Sequence, residues 1–485
     1  MKPEALLFLA FLGASFLIGV IAARSIKGVA DYFVAGARMP WFFLTGTFVA
    51  SNVSAGLFLG ATNMSGRHGY AMWCSYFTTS IGFILGIAFV GVMVRRLASH
   101  YEIYDFADIL ATRYCSRGNA VRATTTVILP FVYVPMLAAQ FMGLATIAGS
   151  IFDLPYHTVL SAIVLLVVAY TLLGGMLGVV WTDGLQFIVL LAGLILAVPL
   201  AMSAAGDGDT AQGWVRLNAL GPEIFNWSTD AWPWYLVMGQ FVWAFSIPVQ
   251  PHLVTRFLTA RDERTILIAL PVCMTAGLLI YSSTVIVGLL GRLATPELAP
   301  GDYYYIELAR TQLGPWLGAF ALAGIAAAAL STCSTVLIVT GQQLSREVYQ
   351  KWLAPGADER EALLAARLAI LAVGVITFAI AYFQVLGIFW LVVLSASLLA
   401  SIFFVPMFAG FFSRSASAAG ALAAMITGGV TALVVFAINE SLDVHFFVSE
   451  LFAGLLASAV AMWVVSSRSP ATSAERQVVE ALTAG

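Results

Sequence analysis

Charge is what this sequence has least of. Its 23 Lys and Arg and 25 Asp and Glu make up 10% of 485 residues, against roughly a quarter in soluble domains. With 61% of residues apolar, a water-soluble fold is excluded, because too little polar surface remains to cover such a core. Cysteine is scarce too. Cys74, Cys115, Cys273 and Cys333 show no CxxC or Cys/His zinc spacing and read as small packing residues. The five histidines form no HExxH-type cluster. No stretch resembles a phosphate-binding P-loop, so an ATP-driven pump would need a partner chain to supply its motor. A net charge of −2 gives nucleic acid nothing to hold. No stretch between apolar runs is long enough for a folded extramembrane domain. The longest, about 203–231, holds Asp207, Gly208, Asp209, Trp214 and Pro222 and reads as a surface loop, and the tail after Ser467 reads as a frayed polar end.

Long apolar runs are what the chain has in abundance. A hydrocarbon core of ~30 Å takes about 20 helical residues at 1.5 Å each. Thirteen runs meet that length, centred on 4–24, 41–65, 72–94, 123–150, 157–174, 177–202, 232–257, 265–290, 314–344, 361–383, 386–412, 418–438 and 445–466. The first differs from a cleaved signal because its charges, Arg24 and Lys27, follow the run instead of preceding it. The expected fold is therefore an all-α, polytopic membrane protein in a single transmembrane domain. All Lys and Arg except Lys2, Arg67, Arg216, Arg292 and Arg310 fall on one side of this topology. That asymmetry places the N-terminus outside and the C-terminus in the cytoplasm of a plasma (inner) membrane.

Two runs are flawed as helices. Span 2 carries Thr45-Gly46-Thr47-Phe48-Val49-Ala50-Ser51-Asn52-Val53-Ser54-Ala55-Gly56, small and polar at mid-membrane. Five spans later, span 7 carries Ser246-Ile247-Pro248-Val249-Gln250-Pro251-His252, where two prolines remove backbone donors and break the helix. Paired interruptions at matching positions point to an inverted-repeat transporter with its site at the midplane, the repeats being spans 2–6 and 7–11. Taken singly, each flaw also fits a close-packed interface or a proline kink.

Span 9 runs Ala326-Ala327-Ala328-Ala329-Leu330-Ser331-Thr332-Cys333-Ser334-Thr335. Positions i, i+3 and i+4 share a helix face, so Ala328, Ser331 and Thr332 form one stripe and Ser331, Ser334 and Thr335 the next. A hard monovalent cation needs several oxygens and little fixed charge. Hydroxyls of span 9 and carbonyls freed in span 2 supply them, although Ser and Thr also commonly bond back to their own helix. Asp183 in span 6 is an ionisable group within a span and a functional residue by default, unless it is solvated at the interface two turns from the helix end.

At these residues the chain resembles the sodium:solute symporter family. The likeness is carried by Asp31-Tyr32-Phe33-Val34-Ala35-Gly36-Ala37-Arg38, by Gly174-Gly175 through Trp181-Thr182-Asp183 to Gln186, and by Gln250-Pro251-His252 leading to Arg256-Phe257. It continues with Ser413-Arg414 through Ala419-Gly420-Ala421. The resemblance implies a leucine-transporter-type fold of two inverted five-helix repeats, about 40–203 and 232–413, with one extra helix before and two after. It implies a first sodium held by Ala50, Val53, Ala328, Ser331 and Thr332, and a second between Asp183 and Ser331, Ser334 and Thr335. It implies a substrate pocket drawing on Asn52, Ser54, Leu57, Trp243, Gln250 and His252. Leu57 stands where sugar-carrying relatives have glutamine, which argues against sugars. Asn52 stands where proline carriers have aspartate, whereas Trp243, Gln250 and His252 match the proline and pantothenate pattern. No Lys or Arg is expected at mid-membrane near the breaks, so half-helix N-termini and sodium would hold a substrate carboxylate.

The function expected is sodium-coupled symport, without enzymatic activity, of a small monocarboxylate, pantothenate-like acid or amino acid such as proline. No obligate protein partner is expected. Proton coupling is the nearest alternative, but it favours a titratable relay and the spans offer little beyond Asp183. A channel needs a continuous polar path, and a receptor would bind without flux.

Overall fold

The computed structural model of the chain describes residues 3–24, 39–54, 56–221, 226–228, 233–296, 298, 303–441 and 447–483. The Asp31–Arg38 motif, Ala55 and the side chain of Leu57 lie outside the described residues. Among the described residues the fold is helical, with no strand and one isolated bridge between Met39 and Ala260. Nine helices among them are long and apolar enough to cross a membrane, and Ala5–Ile18 and Tyr156–Ala169 are shorter apolar stretches.

The first crossing is α1 (Pro3–Ala23). The second starts as α2 (Trp41–Asn52) and stops where Val53 turns extended at φ −85°, ψ 129°. It resumes as a π-helical turn, Gly56–Ala61, and α3 (Thr62–His68). Gly69 ends α3 at φ 70°, a left-handed conformation that glycine adopts without a Cβ clash. The chain then reverses into α4 (Cys74–Phe83), a π-helical turn Ile84–Gly91 and α5 (Val92–His100). Short α6 (Phe106–Arg113) is capped by Asp105, whose carboxylate accepts the Asp108 N–H at 2.8 Å. α7 (Gly118–Phe152) and α8 (Tyr156–Ala205) follow.

α8 departs from expectation. Helical structure runs unbroken through Gly174-Gly175, where separate spans at 157–174 and 177–202 were expected. Two glycines cost about 1 kcal/mol each in a helix, too little to stop one that propagates on both sides, and no proline or turn residue stands between. Fifty residues rise about 75 Å, so this single element holds the apolar length of two crossings.

The expected outer loop contains a helix, α9 (Thr210–Asn218), capped by Asp209. Span 7 comprises α10 (Trp234–Gly239), α11 (Val242–Ser246), a 3-10 turn at Ile247–Val249, an extended Gln250 and α12 (Pro251–Thr259). Pro251 is the first residue of α12, where a missing N–H costs nothing. Then come α13 (Glu263–Ala294), α14 (Tyr304–Thr311) and α15 (Gly314–Gln343), which continues as a π-helical stretch to Leu353. α16 (Glu359–Phe383), α17 (Ile388–Leu399), α18 (Val405–Phe412), α19 (Ala418–Ser441) and α20 (Phe447–Arg468) complete the bundle.

At its centre stands α15, buried at every residue from Ala321 to Gln343. Small residues permit this. A Cβ on Gly324 would lie 3.3 Å from the Val189 carbonyl oxygen, and one on Gly193 3.2 Å from that of Phe320, so α8 and α15 touch backbone to backbone.

The tail is ordered, contrary to the frayed end expected. α21 (Ser473–Thr483) folds back under the bundle. Glu475 is fully buried and accepts from Ser116 Oγ at 2.7 Å, Ala418 N at 3.1 Å and Thr472 N at 2.8 Å, while Arg96 Nη1 donates to the Leu482 carbonyl at 2.9 Å. A polar composition hid an amphipathic helix whose Val478, Val479 and Leu482 are buried. Of the cysteines, Cys273 and Cys333 are buried and Cys74 half-buried, whereas Cys115 is exposed instead of packed inside.

A charged cluster joins α6, α7 and the end of α15. Arg122 pairs with Asp108 and, at 2.9 Å, with Glu347; Arg346 reaches Asp105 at 3.1 Å and Asp108 at 2.8 Å; Lys351 reaches Glu347 at 2.9 Å. Burial, with the neighbouring Asp108 charge, pushes the Asp105 carboxyl up to about 7. Asp108 is also buried, but Arg346 and Arg122 hold it below its ordinary value.

Candidate functional site

Where α2 ends, its last carbonyls lose their helical partners, and each such group left unpaired in lipid costs several kcal/mol. The hydroxyls of α15 meet them. Ser331 Oγ lies 2.6 Å from Ala50 O and 2.8 Å from Ala328 O. Thr332 Oγ1 lies 3.3 Å from both Ser51 O and Val53 O, and 3.1 Å from Ala328 O. Six oxygens, four carbonyl and two hydroxyl, thus converge on one buried spot. Ala328, Ser331 and Thr332 lie on one stripe as the helical spacing suggested, and Ala50 and Val53, which the family resemblance implied, meet them. The Ser51 carbonyl is an addition that the helix-face argument missed, because that argument concerned the side chains of span 9 and not the carbonyls of the last turn of α2.

One turn along α15 the arrangement differs from the sequence expectation. Arg256 was counted among the loop cations, and no mid-membrane cation was expected, yet its guanidinium is fully buried. Arg256 Nη2 donates to Asp183 Oδ2 at 2.9 Å, to Ser51 Oγ at 3.0 Å and to Thr335 Oγ1. Thr47 Oγ1 also donates to Asp183 Oδ2. Asp183 is therefore not solvated at an interface; it is buried and paired. The physical reason is reciprocal: a buried carboxylate needs a counter-charge, and the long Arg side chain can bring one inward from the far end of α12. Asp183 and Thr335 meet at this guanidinium, whereas Ser334 turns back to its own helix, to Leu330 O at 3.0 Å and Ser331 O at 3.1 Å. Asp183 Oδ1 is buried without a hydrogen-bond partner.

The substrate candidates are dispersed over this region. Asn52 Nδ2 donates to Tyr281 Oη at 3.4 Å, and Ser54 is buried in the break. Trp243 Nε1 donates to Gln240 Oε1 at 3.3 Å, an oxygen that also accepts from Ser75 Oγ at 2.5 Å. Gln250 Nε2 donates to Ser246 Oγ at 3.2 Å across the second break. His252 has a different occupation. Its backbone N–H donates to Tyr133 Oη at 2.8 Å, and its Nδ1 lies 3.0 Å from the same oxygen, so it anchors the start of α12 to α7. Tyr281, Gln240 and Ser75 went unnoticed in the sequence because each sits within an ordinary apolar run. Only their hydrogen bonds mark them, that of Tyr281 with Asn52 at the first break and those that join Ser75, Gln240 and Trp243.

The two breaks are joined at their far ends. Met39 N donates to Thr259 O at 2.9 Å and Arg261 N to Met39 O at 3.3 Å, tying the start of α2 to the end of α12.

Comparison with known proteins bears on the family and the fold. The profile of the sodium:solute symporter family matches residues 32–428. The sodium/proline symporter of Haemophilus influenzae is 26% identical over 487 residues, covering 96% of this chain and 94% of the relative. That of Escherichia coli is 27% identical over 454 residues, covering 89% and 87%. The sodium/pantothenate symporter of Escherichia coli is 26% identical over 469 residues, covering 94% and 96%. Among solved structures, a Na+-coupled sialic acid symporter in a substrate-bound outward-open state superposes with a TM-score of 0.76 at 19% identity, covering 97% of this chain and 99% of that one. Mhp1, a nucleobase-cation-symport-1 family transporter in a closed conformation, does so at 0.57 and 14%, covering 93% and 98%. These likenesses establish a transporter fold.

Proposed function

The chain belongs to the sodium:solute symporter family, and on that premise we propose that the six oxygens of Ala50, Ser51, Val53, Ala328, Ser331 and Thr332 hold the sodium that drives its symport. The observation that carries this is the approach of Ser331 and Thr332 to the carbonyls released by α2. A shell of neutral oxygens replaces the hydration of a monovalent ion without the fixed charge that would bind a divalent one too tightly to release.

The architecture we propose is the thirteen-span one, with inverted repeats over about 40–203 and 232–413 and α8 supplying two crossings. Two breaks five spans apart support it. So does the pairing of Met39 with Thr259 and Arg261, since two crossing helices joined start to end run in opposite senses. The Lys and Arg asymmetry supports an external N-terminus and a cytoplasmic C-terminus.

We propose one sodium per cycle. Arg256 stands between Asp183 and Thr335 as a resident cation, in the position that the family resemblance offered to a second ion. One observation favours a second sodium instead, namely the unpartnered Asp183 Oδ1. The ratio of charge to solute moved decides between them: one charge per proline supports Arg256 as the resident cation, and two support the second ion.

The solute we propose is a compact carboxylate-bearing molecule, proline first and pantothenate next, in keeping with the relatives named above. Its chamber is lined by Asn52, Trp243, Gln250 and Tyr281, aromatic and amide groups with no cation to spare, because Arg256 is engaged. The bound sodium would hold the carboxylate, because the first N–H groups of α12 are taken, that of His252 by Tyr133 and those of Leu253 and Val254 by the Gln250 carbonyl. Ser54 flanks the chamber from span 2, while His252 acts from behind it by fixing α12.

Transport follows by alternating access. Sodium favours one arrangement of the two repeats only to the extent that it binds that arrangement more tightly. The test is thermal unfolding of the purified protein with proline or pantothenate, in sodium and in potassium. A solute that raises the melting temperature in sodium alone supports the reading; equal shifts in both salts overturn it.

A further inference from the structure

We infer that a groove on the lipid-facing side, between α7, α17 and α19, is a binding site for one acyl chain of an anionic phospholipid whose headgroup meets Arg117. The groove encloses about 740 Å³. Ala123, Val127 and Phe131 form one wall, Leu398 and Ile402 the floor, and Gly429 and its neighbours on α19 the other wall. Thr124 is the only lining residue with a polar side chain. Phe131 stands out at the rim, 75% exposed.

Length and charge identify the occupant. From Ala123 to Pro135 the groove follows α7 for twelve residues, about 18 Å, close to the ~15 Å of hydrocarbon in one leaflet. A transmembrane helix of a second copy would need a face running the full ~30 Å. Six residues before Ala123, about 9 Å along the chain, lies Arg117, on the short turn Cys115–Arg117 that packs against α19. Arg117 is exposed and pairs with no carboxylate among the described residues. Its neighbour in sequence Arg122 is consumed by Asp108 and Glu347, and Arg414 faces Glu480 at 3.7 Å, whereas Arg117 keeps its charge free for a ligand at this mouth. An apolar slot one leaflet deep, opening beside a spare guanidinium on the side of the protein rich in Lys and Arg, has the form of a phospholipid with a net negative head. The bound chain would join α19, outside the repeats, to α7 and α17 within them.

Native mass spectrometry of the full chain in detergent tests this, with phosphatidylglycerol and phosphatidylcholine of identical acyl chains. The wild type is expected to retain one phosphatidylglycerol about fivefold more than phosphatidylcholine, the preference that one surface cation supplies. Arg117→Glu is expected to abolish the preference, and Ala123→Phe to lower retention of both lipids by filling the slot. Should Ala123→Phe fail to fold, Arg117→Glu on its exposed turn decides alone. Equal retention of the two lipids by wild type, an unchanged preference in Arg117→Glu, or a dimer that excludes lipid would each overturn the proposal.

Discussion

A carboxylate taken from water into a protein interior costs several kcal/mol unless a partner offsets it, and Asp183 has that partner in Arg256 at 2.9 Å. Removing one member leaves the other buried alone. Arg256→Gln should therefore destabilise the protein by about 3–5 kcal/mol, and adding Asp183→Asn should recover part of the loss. Thermal unfolding of the two single variants and the double checks this; strictly additive losses would mean that the pair does not interact. Asp105 makes a second residue-level prediction. Its ordinary value is 3.8 and its folded value about 7, so between these the folded state holds the extra proton and stability falls as pH rises. Asp108, held below its ordinary value by Arg346 and Arg122, adds no slope in that window. Melting temperature should decline from about pH 4 to about 7 and level off above, and Asp105→Asn, which keeps an oxygen for the α6 cap, should flatten the decline. A decline of equal slope in both proteins would contradict this. At this scale the sequence disclosed what depended on helical spacing. Ser331 and Thr332 fall three and four residues after Ala328, and that stripe survives in the structure. Arg256 did not announce itself, because a cation one residue from the end of its apolar run looks like an interfacial one until its side chain is seen to turn inward.

Among elements, the break in span 2 has the most stringent requirement. A Cβ on Gly56 would lie 2.4 Å from Val392 Cγ2, so the resumption of the helix after the break presses directly on α17. β-Branched Val392 cannot swing clear. Gly56→Ala is expected to lower transport and melting temperature together, and Val392→Ala in the same chain to restore much of both. Failure of the second change to rescue the first would detach the break from α17. The second break was legible because Pro248 and Pro251 forbid continuous hydrogen bonding whatever surrounds them. The α8 boundary was not legible, since Gly174-Gly175 weakens a helix without ending it, and tertiary packing decides. Nor was the docked tail, where Glu475 is buried by partners distant in sequence: Ser116 and Ala418. Glu475→Ala should lower the melting temperature by removing these caps while leaving the sodium dependence of uptake unchanged.

For the whole molecule, the work comes from sodium moving through the field. One ion crossing 100 mV contributes about 2.3 kcal/mol, enough to accumulate a neutral solute about fifty-fold before any sodium gradient is added. That energy reaches the solute only if sodium binds one arrangement of the helices better than the other, and the site proposed where span 2 meets α15 would make that difference. The most direct measurement is initial proline uptake into proteoliposomes against external sodium, with potassium as the replacement at fixed pH, for wild type and for Ser331→Ala combined with Thr332→Ala. Losing both hydroxyl ligands should raise the sodium concentration for half-maximal uptake about tenfold or more, with potassium supporting none in either protein. An unchanged sodium dependence in the double variant would contradict the account.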